Sequence, residues 1–170
     1  MKKLIALFFI LPLLTACWPT AFLSPRDTSM PEEWRLFYIE PLEITTATAP
    51  SSYQANLSEA LRTSIQNNTR LKLGSNSNQS DLKIAGVITN YATSPIAVQQ
   101  NDNAAKNRLT ISINFTILTP TKGLEEIKFT SSRFADYDSN EQLVSVENRL
   151  IEEINQQIGQ DLINKLLSNW

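Results

Sequence analysis

The clearest period-two pattern in the chain runs from Leu109 to Ile117, where five apolar residues alternate with threonine, serine and asparagine. Such alternation predicts a β-strand with one face buried and the other in water. Runs rich in branched and aromatic residues predict further strands at 34–39, 70–73, 82–98 and 127–131. A sheet of several short strands is therefore expected.

The strand at 82–98 has apolar residues on both faces, so we expect it to be covered on both sides near Gly86. One face carries Leu82, Ile84 and Ile88, and the other carries Ala85, Val87 and Tyr91. A bend or bulge is expected near Ser94 and Pro95, because proline cannot donate a hydrogen bond to a sheet ladder.

Apolar residues at helical spacing predict two helices. The first covers about four turns from Tyr53 to Asn68. The second carries a continuous apolar stripe from Leu143 to Leu166. Gly159 lies within the second helix and indicates a close contact or a bend, since glycine costs about 1 kcal/mol there relative to alanine.

The predicted order is β-α-β-β-β-β-α. It indicates an α+β sandwich of two layers, in which two helices pack on one face of a small mixed, mainly antiparallel sheet. A serine followed three residues later by glutamine, at Ser51 and again at Ser139, predicts a capping box before each helix. Residues 34–170 suit a single domain.

Residues 1–16 have the features of a lipoprotein signal peptide. Two lysines precede an apolar run of eleven residues, and two small residues stand before Cys17, the only cysteine. The run is shorter than the roughly 20 residues that a membrane-spanning helix needs. A plain secretory signal with a cysteine there by chance is the alternative. We expect a diacylglycerol and an N-acyl chain on Cys17, with residues 17–33 forming the lipidated tether.

The residue after Cys17 is not acidic, whereas an aspartate there is a common signal for retention in the inner membrane. We therefore expect a lipid anchor on the periplasmic face of the outer membrane. Loss of Lys2 and Lys3 with the signal leaves 13 basic against 17 acidic residues, a net charge near −4. Nucleic-acid binding is not expected from this charge.

The composition also bears on chemistry. The chain has no histidine, which is the commonest metal ligand and the commonest general base at neutral pH. It also lacks a nucleophile-elbow motif and a phosphate-binding glycine loop. We expect no enzymatic activity, no catalytic residues, no metal and no cofactor other than the acyl chains.

Several stretches resemble the LPS-assembly lipoprotein family, LptE, in a short form. They are EALR at 59–62, TRLKL at 69–73, NRLTI at 107–111, SRFADYD at 132–138 and the tail at 146–170. The resemblance implies a non-catalytic α+β domain at the periplasmic side of the outer membrane. It also implies that the domain plugs the LPS-inserting β-barrel, an LptD-like partner, contacts lipopolysaccharide and assists its transport to the cell surface.

Five basic residues are candidates for lipopolysaccharide binding. If the strands after Arg108 and before Arg133 form a hairpin through a turn at Pro120, these two arginines arrive near the same end of the sheet, with Lys106 beside them. The other two candidates are Arg70 and Lys72. Arginine suits this task because it bonds phosphate or carboxylate groups bidentately.

Asp136 and Asp138 could neutralise the same basic residues from within the protein. Like charges on neighbouring strands are unfavourable without a compensating anion, and these carboxylates are an internal alternative to a lipid headgroup. They are also candidates for a paired-carboxylate or metal site. Helix capping and surface charge are the favoured roles for them, because the stretch has helix-entry character.

Two other functions remain open. A freestanding periplasmic lipid-binding carrier needs an apolar cavity large enough for acyl chains, so a solid core between helices and sheet would count against it. An accessory lipoprotein of a secretion pore would copurify with a different barrel.

Overall fold

The computed structural model describes residues 30–96, 105–119 and 125–168. Within these ranges the strands are β1 (Leu36–Ile39), β2 (Glu43–Ile44), β3 (Lys72–Leu73), β4 (Leu82–Ile96), β5 (Lys106–Thr119) and β6 (Glu125–Asp138). The helices are α1 (Tyr53–Asn68) and α2 (Leu143–Ser168), with a short 3-10 helix at Ser77–Gln79.

The strands form one mixed sheet in the order β3-β1-β4-β5-β6, with β2 also paired to β4. The pairs β1–β3, β1–β4 and β2–β4 are parallel, whereas β4–β5 and β5–β6 are antiparallel. The predicted two-layer α+β sandwich is confirmed. The predicted order omitted β2, because a strand of two residues has no periodicity to detect.

The inner face of β5 forms the centre of the core. Its five predicted apolar residues are all at most 1% exposed, while the alternate residues are half-buried or exposed. Both helices contribute their apolar stripes to the same core, including Leu57 and Leu61 of α1 and Ile154 and Ile158 of α2. The sheet therefore has a core face and an open face.

The ladder between β4 and β5 contains one irregularity, between Ile88 and Asn90. Thr89 is the extra residue, and it moves Tyr91 onto the core face opposite Ile111. The expectation that Tyr91 shares a face with Val87 was therefore wrong.

A bulge near Pro95, one form of the expected distortion, is not formed, since Pro95 pairs in register with Asn107. The described strands on the other edge of β4 pair with it no further than Ile88. Proline is tolerated at such an edge position because no partner there needs its N–H.

The capping boxes were predicted wrongly, although the helix positions were right. The Ser52 side chain makes no capping hydrogen bond, and the Tyr53 N–H donates to the Pro50 carbonyl at 3.0 Å. Before α2, the Asp138 N–H donates to the Glu141 carboxylate at 3.3 Å. Backbone turns and a neighbouring carboxylate thus take the place of the expected serine contacts.

The packed core extends further toward the amino terminus than Trp34, the first residue of the predicted domain. Trp34 is 1% exposed, and Met30 is also buried in the core cluster. Met30 lies within the predicted tether 17–33, so this end of the tether packs on the domain.

Gly159 is a point of close approach between the two helices, which confirms one of the two roles expected for it. A Cβ atom at this position would lie 2.8 Å from Ser64 Oγ and 3.0 Å from Ser64 Cβ. Since the nearer atoms belong to a short side chain on a rigid helix, a larger residue requires the helices to separate.

Replacing Gly159 with leucine should lower the free energy of unfolding by about 1–3 kcal/mol, because the added side chain overpacks the contact with Ser64. Chemical denaturation of the full chain measures this. Glu153→Leu is the matched control, because Glu153 is an exposed residue of the same helix, and a change within about 0.5 kcal/mol is expected there. Equal effects of the two substitutions would contradict the packing argument.

Candidate functional site

The five predicted binding cations lie in three separate places. Lys106 and Arg108 are at the start of β5, and Arg108 points to the open face because the adjacent Leu109 points to the core. Arg133 pairs with Ile111, which puts it on the helix side of the sheet. Arg70 and Lys72 lie at or beside β3, the opposite edge strand. Arg108 and Arg133 therefore lie toward the same end of the hairpin, as expected, but on opposite faces of the sheet.

Arg108 is held by a carboxylate of the neighbouring strand. Its Nε and Nη2 atoms donate to the two carboxylate oxygens of Asp136 at 2.7 and 2.9 Å. Its guanidinium carbon lies 3.5 Å from the centroid of the Phe134 ring, which is 46% exposed. The hydrogen bonds from Arg108 hold the pKa of Asp136 below its usual value. The internal compensation considered for Arg108 is therefore present.

The helix-entry character expected around Asp136 and Asp138 was wrong. Both residues belong to β6, which continues through Asp138 opposite Lys106. The strand is extended here because Ala135 and Tyr137 alternate with the two aspartates and are buried on the core face. Among the described residues, no group of three or more acidic, histidine or cysteine side chains is arranged to hold a metal ion.

Arg133 fastens the edge strand β6 to helix α2. Its guanidinium donates two hydrogen bonds to Asp161, one of them from Nε at 2.7 Å, and Ser131 Oγ donates to the same carboxylate at 2.6 Å. Burial of Asp161 raises its pKa, but the hydrogen bonds from Arg133 and Ser131 outweigh this and leave the pKa below its usual value. Sequence reasoning missed Asp161, since a single acidic residue on a long helix carries no distinguishing signal.

Arg70 acts on the chain just before β1. Its Nη2 donates to the Met30 carbonyl at 3.0 Å and also to the Pro31 carbonyl. Lys72 is exposed on β3, and both residues line a surface pocket of about 800 Å³ with Glu32 and Asp81. Arg70 therefore positions the first described residues, whereas Lys72 remains accessible.

Two tyrosines form a polar layer inside the core. The Tyr53 hydroxyl donates to Asn155 Oδ1 at 2.9 Å, and the Tyr91 hydroxyl donates to Glu147. The rings meet edge to face with centroids 5.5 Å apart. Burial raises the pKa of both tyrosines, and Glu147 raises that of Tyr91 further. The sequence alone could have indicated this polar layer, because Asn155 places an amide inside the apolar stripe of α2.

Other predictions fall outside the described residues. These are the signal peptide 1–16, Cys17 with most of its tether, and the turn at Pro120. The hairpin itself is present, because β5 and β6 pair from Lys106–Asp138 to Thr119–Glu125. Neither helix in the described part of the chain is long and apolar enough to span a bilayer.

The fold places the chain in a class of small two-layer α+β domains known from bacterial proteins. A hypothetical protein from Chlamydia trachomatis superimposes with a TM-score of 0.54 at 10% identity, covering 80% of this chain and 99% of the other. Uncharacterized lipoprotein B from Nitrosomonas europaea gives a TM-score of 0.50 at 14% identity, covering 84% and 87%. At these identities the similarity shows the fold alone.

The sequence defines the family. The family model of LptE, described as lipopolysaccharide-assembly, matches residues 37–166. The match spans nearly all of both helices and of the sheet, and the chain belongs to the LptE family. Among curated proteins, none matches this sequence.

The Asp161 contacts should make stability depend on pH. A carboxylate whose pKa is lowered by folding stabilises the fold above its unfolded-state pKa of about 3.9 and loses this contribution as the pH falls through the folded-state value. Unfolding free energy measured from pH 6 downward should therefore fall more steeply in the native chain than in Asp161→Asn. Asp138→Asn is the control, because the exposed Asp138 side chain forms no ion pair with a described residue. Parallel pH curves for the native chain and Asp161→Asn would contradict this account.

Proposed function

We propose that this LptE-family protein is a non-catalytic lipoprotein that is anchored to the outer membrane through Cys17 and assists transport of lipopolysaccharide to the cell surface. The observation that carries the proposal is the family match over residues 37–166, nearly the whole folded domain. The lipoprotein signal before it supplies the anchor, since two or three acyl chains give stable membrane attachment.

The proposed partner is the LPS-inserting β-barrel, with the domain acting as its plug. The open face of the sheet supports this role, because its centre is polar but uncharged. Ser112 and Ser132 hydroxyls are 2.8 Å apart, and the Thr130 hydroxyl donates to Asn114 at 2.8 Å. Hydroxyl and amide groups suit contact with the polar interior of a barrel.

Lys106 and Arg108 are the proposed contacts for lipopolysaccharide phosphates. Arg108 uses Nε and Nη2 for Asp136, which leaves Nη1 for an outside acceptor. Lys106 is exposed, and its charge helps to lower the pKa of Asp136, so it is a second cation beside Arg108. Arg133 forms an ion pair with Asp161 on the other face of the sheet. Arg70 and Lys72 lie at the opposite edge, beside β3. Arg133 and the Arg70–Lys72 pair are therefore proposed as two further contacts, separate from Lys106 and Arg108.

The freestanding carrier receives less support. Three surface pockets formed by described residues, of about 620, 800 and 380 Å³, are lined mainly by polar and charged side chains. An acyl-chain carrier needs an apolar cavity. The described core between helices and sheet is instead occupied by buried side chains.

Depletion of the protein should remove lipopolysaccharide from the outer leaflet, as measured with an impermeant lipopolysaccharide probe on intact cells. The native gene should restore the signal, and Cys17→Ser should neither restore it nor incorporate labelled palmitate. The barrel should copurify with the native protein. Unchanged surface lipopolysaccharide after depletion would refute the transport role, and a native chain without palmitate would refute the anchor.

The double variant Lys106→Gln, Arg108→Gln should bind purified lipopolysaccharide about five- to tenfold more weakly, because two exposed charge contacts contribute about 0.5–0.7 kcal/mol each. Titration of the full chain in detergent measures the affinity. Lys128→Gln is the matched control, because Lys128 is exposed near the opposite end of β6. Thermal unfolding shows whether loss of the Asp136 contact perturbs folding. Equal affinities for the native, double-variant and control chains would exclude this patch.

A further inference from the structure

Strand β6 is a long free edge of the sheet. It stands last in the strand order, and β5 is the one described strand that pairs with it. All fourteen of its residues, Glu125–Asp138, pair with β5 without a bulge. The opposite edge strand, β3, has only two residues. Proteins usually shorten, cover or interrupt an exposed edge, because such an edge can pair with another strand. The length of β6 therefore makes it a candidate for pairing with another chain.

Two hydrogen bonds show which backbone groups of β6 point away from the sheet. The Ser139 N–H donates to the carbonyl of Ala105, the residue just before β5, at 3.0 Å. Because these directions alternate along a strand, the odd-numbered residues of β6 point their N–H and carbonyl groups at β5 and the even-numbered ones point theirs away. The Asp138 N–H agrees with this, since it leaves the sheet and donates to Glu141. Over residues 128–136 the outward groups form no hydrogen bond with a described residue.

The outer side of β6 is also accessible. The even-numbered side chains of the strand lie on the open face and are exposed, Phe134 by 46%. A surface cleft of about 380 Å³ is lined by Phe129 and Arg133 from the helix side of β6 and by Thr130 from the open face. A cleft that reaches both faces of β6 lies at its free edge, because β5 occupies the other edge. Another strand therefore has room to approach the outward backbone groups.

The charges along this edge are complementary to a second copy of the same strand. Lys128 lies four residues before Ser132 and Asp136 lies four residues after it, all on the open face. When two β6 strands pair antiparallel about Ser132, each Lys128 faces an Asp136 of the other copy. Thr130 then faces Phe134, and a β-branched side chain opposite an aromatic one is a favourable cross-strand pair.

Neighbouring registers bring like charges together. Shifting the centre one residue toward the amino terminus places Glu126 opposite Asp136. Shifting it one residue the other way places Arg133 opposite its own copy. In the unshifted register the first unfavourable pair is Asp138 with Glu126, just outside the span 128–136. The charges therefore select one register and limit its length.

We propose that two copies of this chain associate by antiparallel pairing of their β6 strands over residues 128–136, which joins their sheets into one. The two-fold axis passes through Ser132, so both copies use the same surface. The five even-numbered residues of each copy in this span form pairs with two hydrogen bonds each, about ten bonds in all. Lys128 contacts Glu126 of its own strand at 3.0 Å, and the association adds a carboxylate of the other copy to this cation.

Sedimentation equilibrium of the full chain in detergent, with micelles in large excess over protein, measures the association. The native chain should form a concentration-dependent dimer. Lys128→Asp should raise the dimer dissociation constant at least about tenfold, because two attractive cross-strand pairs become repulsive. Arg149→Asp is the matched control, since it makes the same change of charge at an exposed residue of α2, and it should change the constant less than about twofold.

Substitutions at Ser132 test the backbone pairing. Ser132→Pro removes the central outward N–H of each copy, and an edge strand tolerates proline where that N–H faces away from the sheet. It should weaken the dimer at least about tenfold, whereas Ser132→Ala keeps the N–H and should change the constant less than about twofold. Thermal unfolding shows whether both variants fold. If the proline variant does not, Lys128→Asp at its exposed position still decides the proposal.

Cross-linking tests the register. In the proposed dimer the two Ser132 Cβ atoms lie about 5.5 Å apart, whereas the two Glu126 residues lie about 41 Å apart along the paired strands. A short thiol-specific cross-linker should therefore join Ser132→Cys into a dimer. It should leave Glu126→Cys, and the native chain with Cys17 as its one cysteine, as monomers.

The proposal is overturned if the native chain stays monomeric at every concentration reached, or if Arg149→Asp weakens the dimer as much as Lys128→Asp. Equal cross-linking of Ser132→Cys and Glu126→Cys would also overturn it. Cross-linking of Ser132→Cys to the barrel in intact cells, without a product of two copies, would assign the edge to the barrel instead. The purified dimer forms without lipopolysaccharide, so this proposal and the proposed function fail separately.

Discussion

The sheet buries only one of its faces, and this constraint decides what each side chain of β4, β5 and β6 can do. Helices α1 and α2 cover the face that carries the apolar residues of β5, so every alternate residue is available on the other face. The order of residues along three long strands thus separates core from surface. The single extra residue at Thr89 changes which residues of β4 face the core. Before it the even-numbered residues up to Ile88 are buried, and after it Tyr91 is buried.

The elements that sequence reasoning predicted well are those with many repeats of one period. Strand β5 and helix α2 each repeat their pattern often enough to be unmistakable, and burial follows that pattern in both. The bulge at Thr89 was not predictable in this way, because an inserted residue changes the phase without altering composition. The capping box at Ser51 failed for another reason: Ser52, and not Ser51, is the N-cap residue of α1.

The basic residues of the candidate site could be predicted from the sequence, but their positions and partners could not. The partner of Arg108 depends on the register between β5 and β6, and the partner of Arg133 depends on how α2 lies against β6. Neither relation is present in local sequence. Asp161 therefore could not be singled out, whereas Asn155 could have been, because an amide within an apolar stripe must find a partner when it is buried.

The sheet and the helices present side chains of opposite charge. Lys106 and Arg108 are on the sheet and favour phosphates, whereas Glu59 and Glu152 are on the helices and favour cations. Charge screening limits each to its own neighbourhood, since the Debye length is about 8 Å at physiological salt. A chain that is acidic overall, with a formal net charge of −2, can therefore hold an anionic lipid headgroup locally.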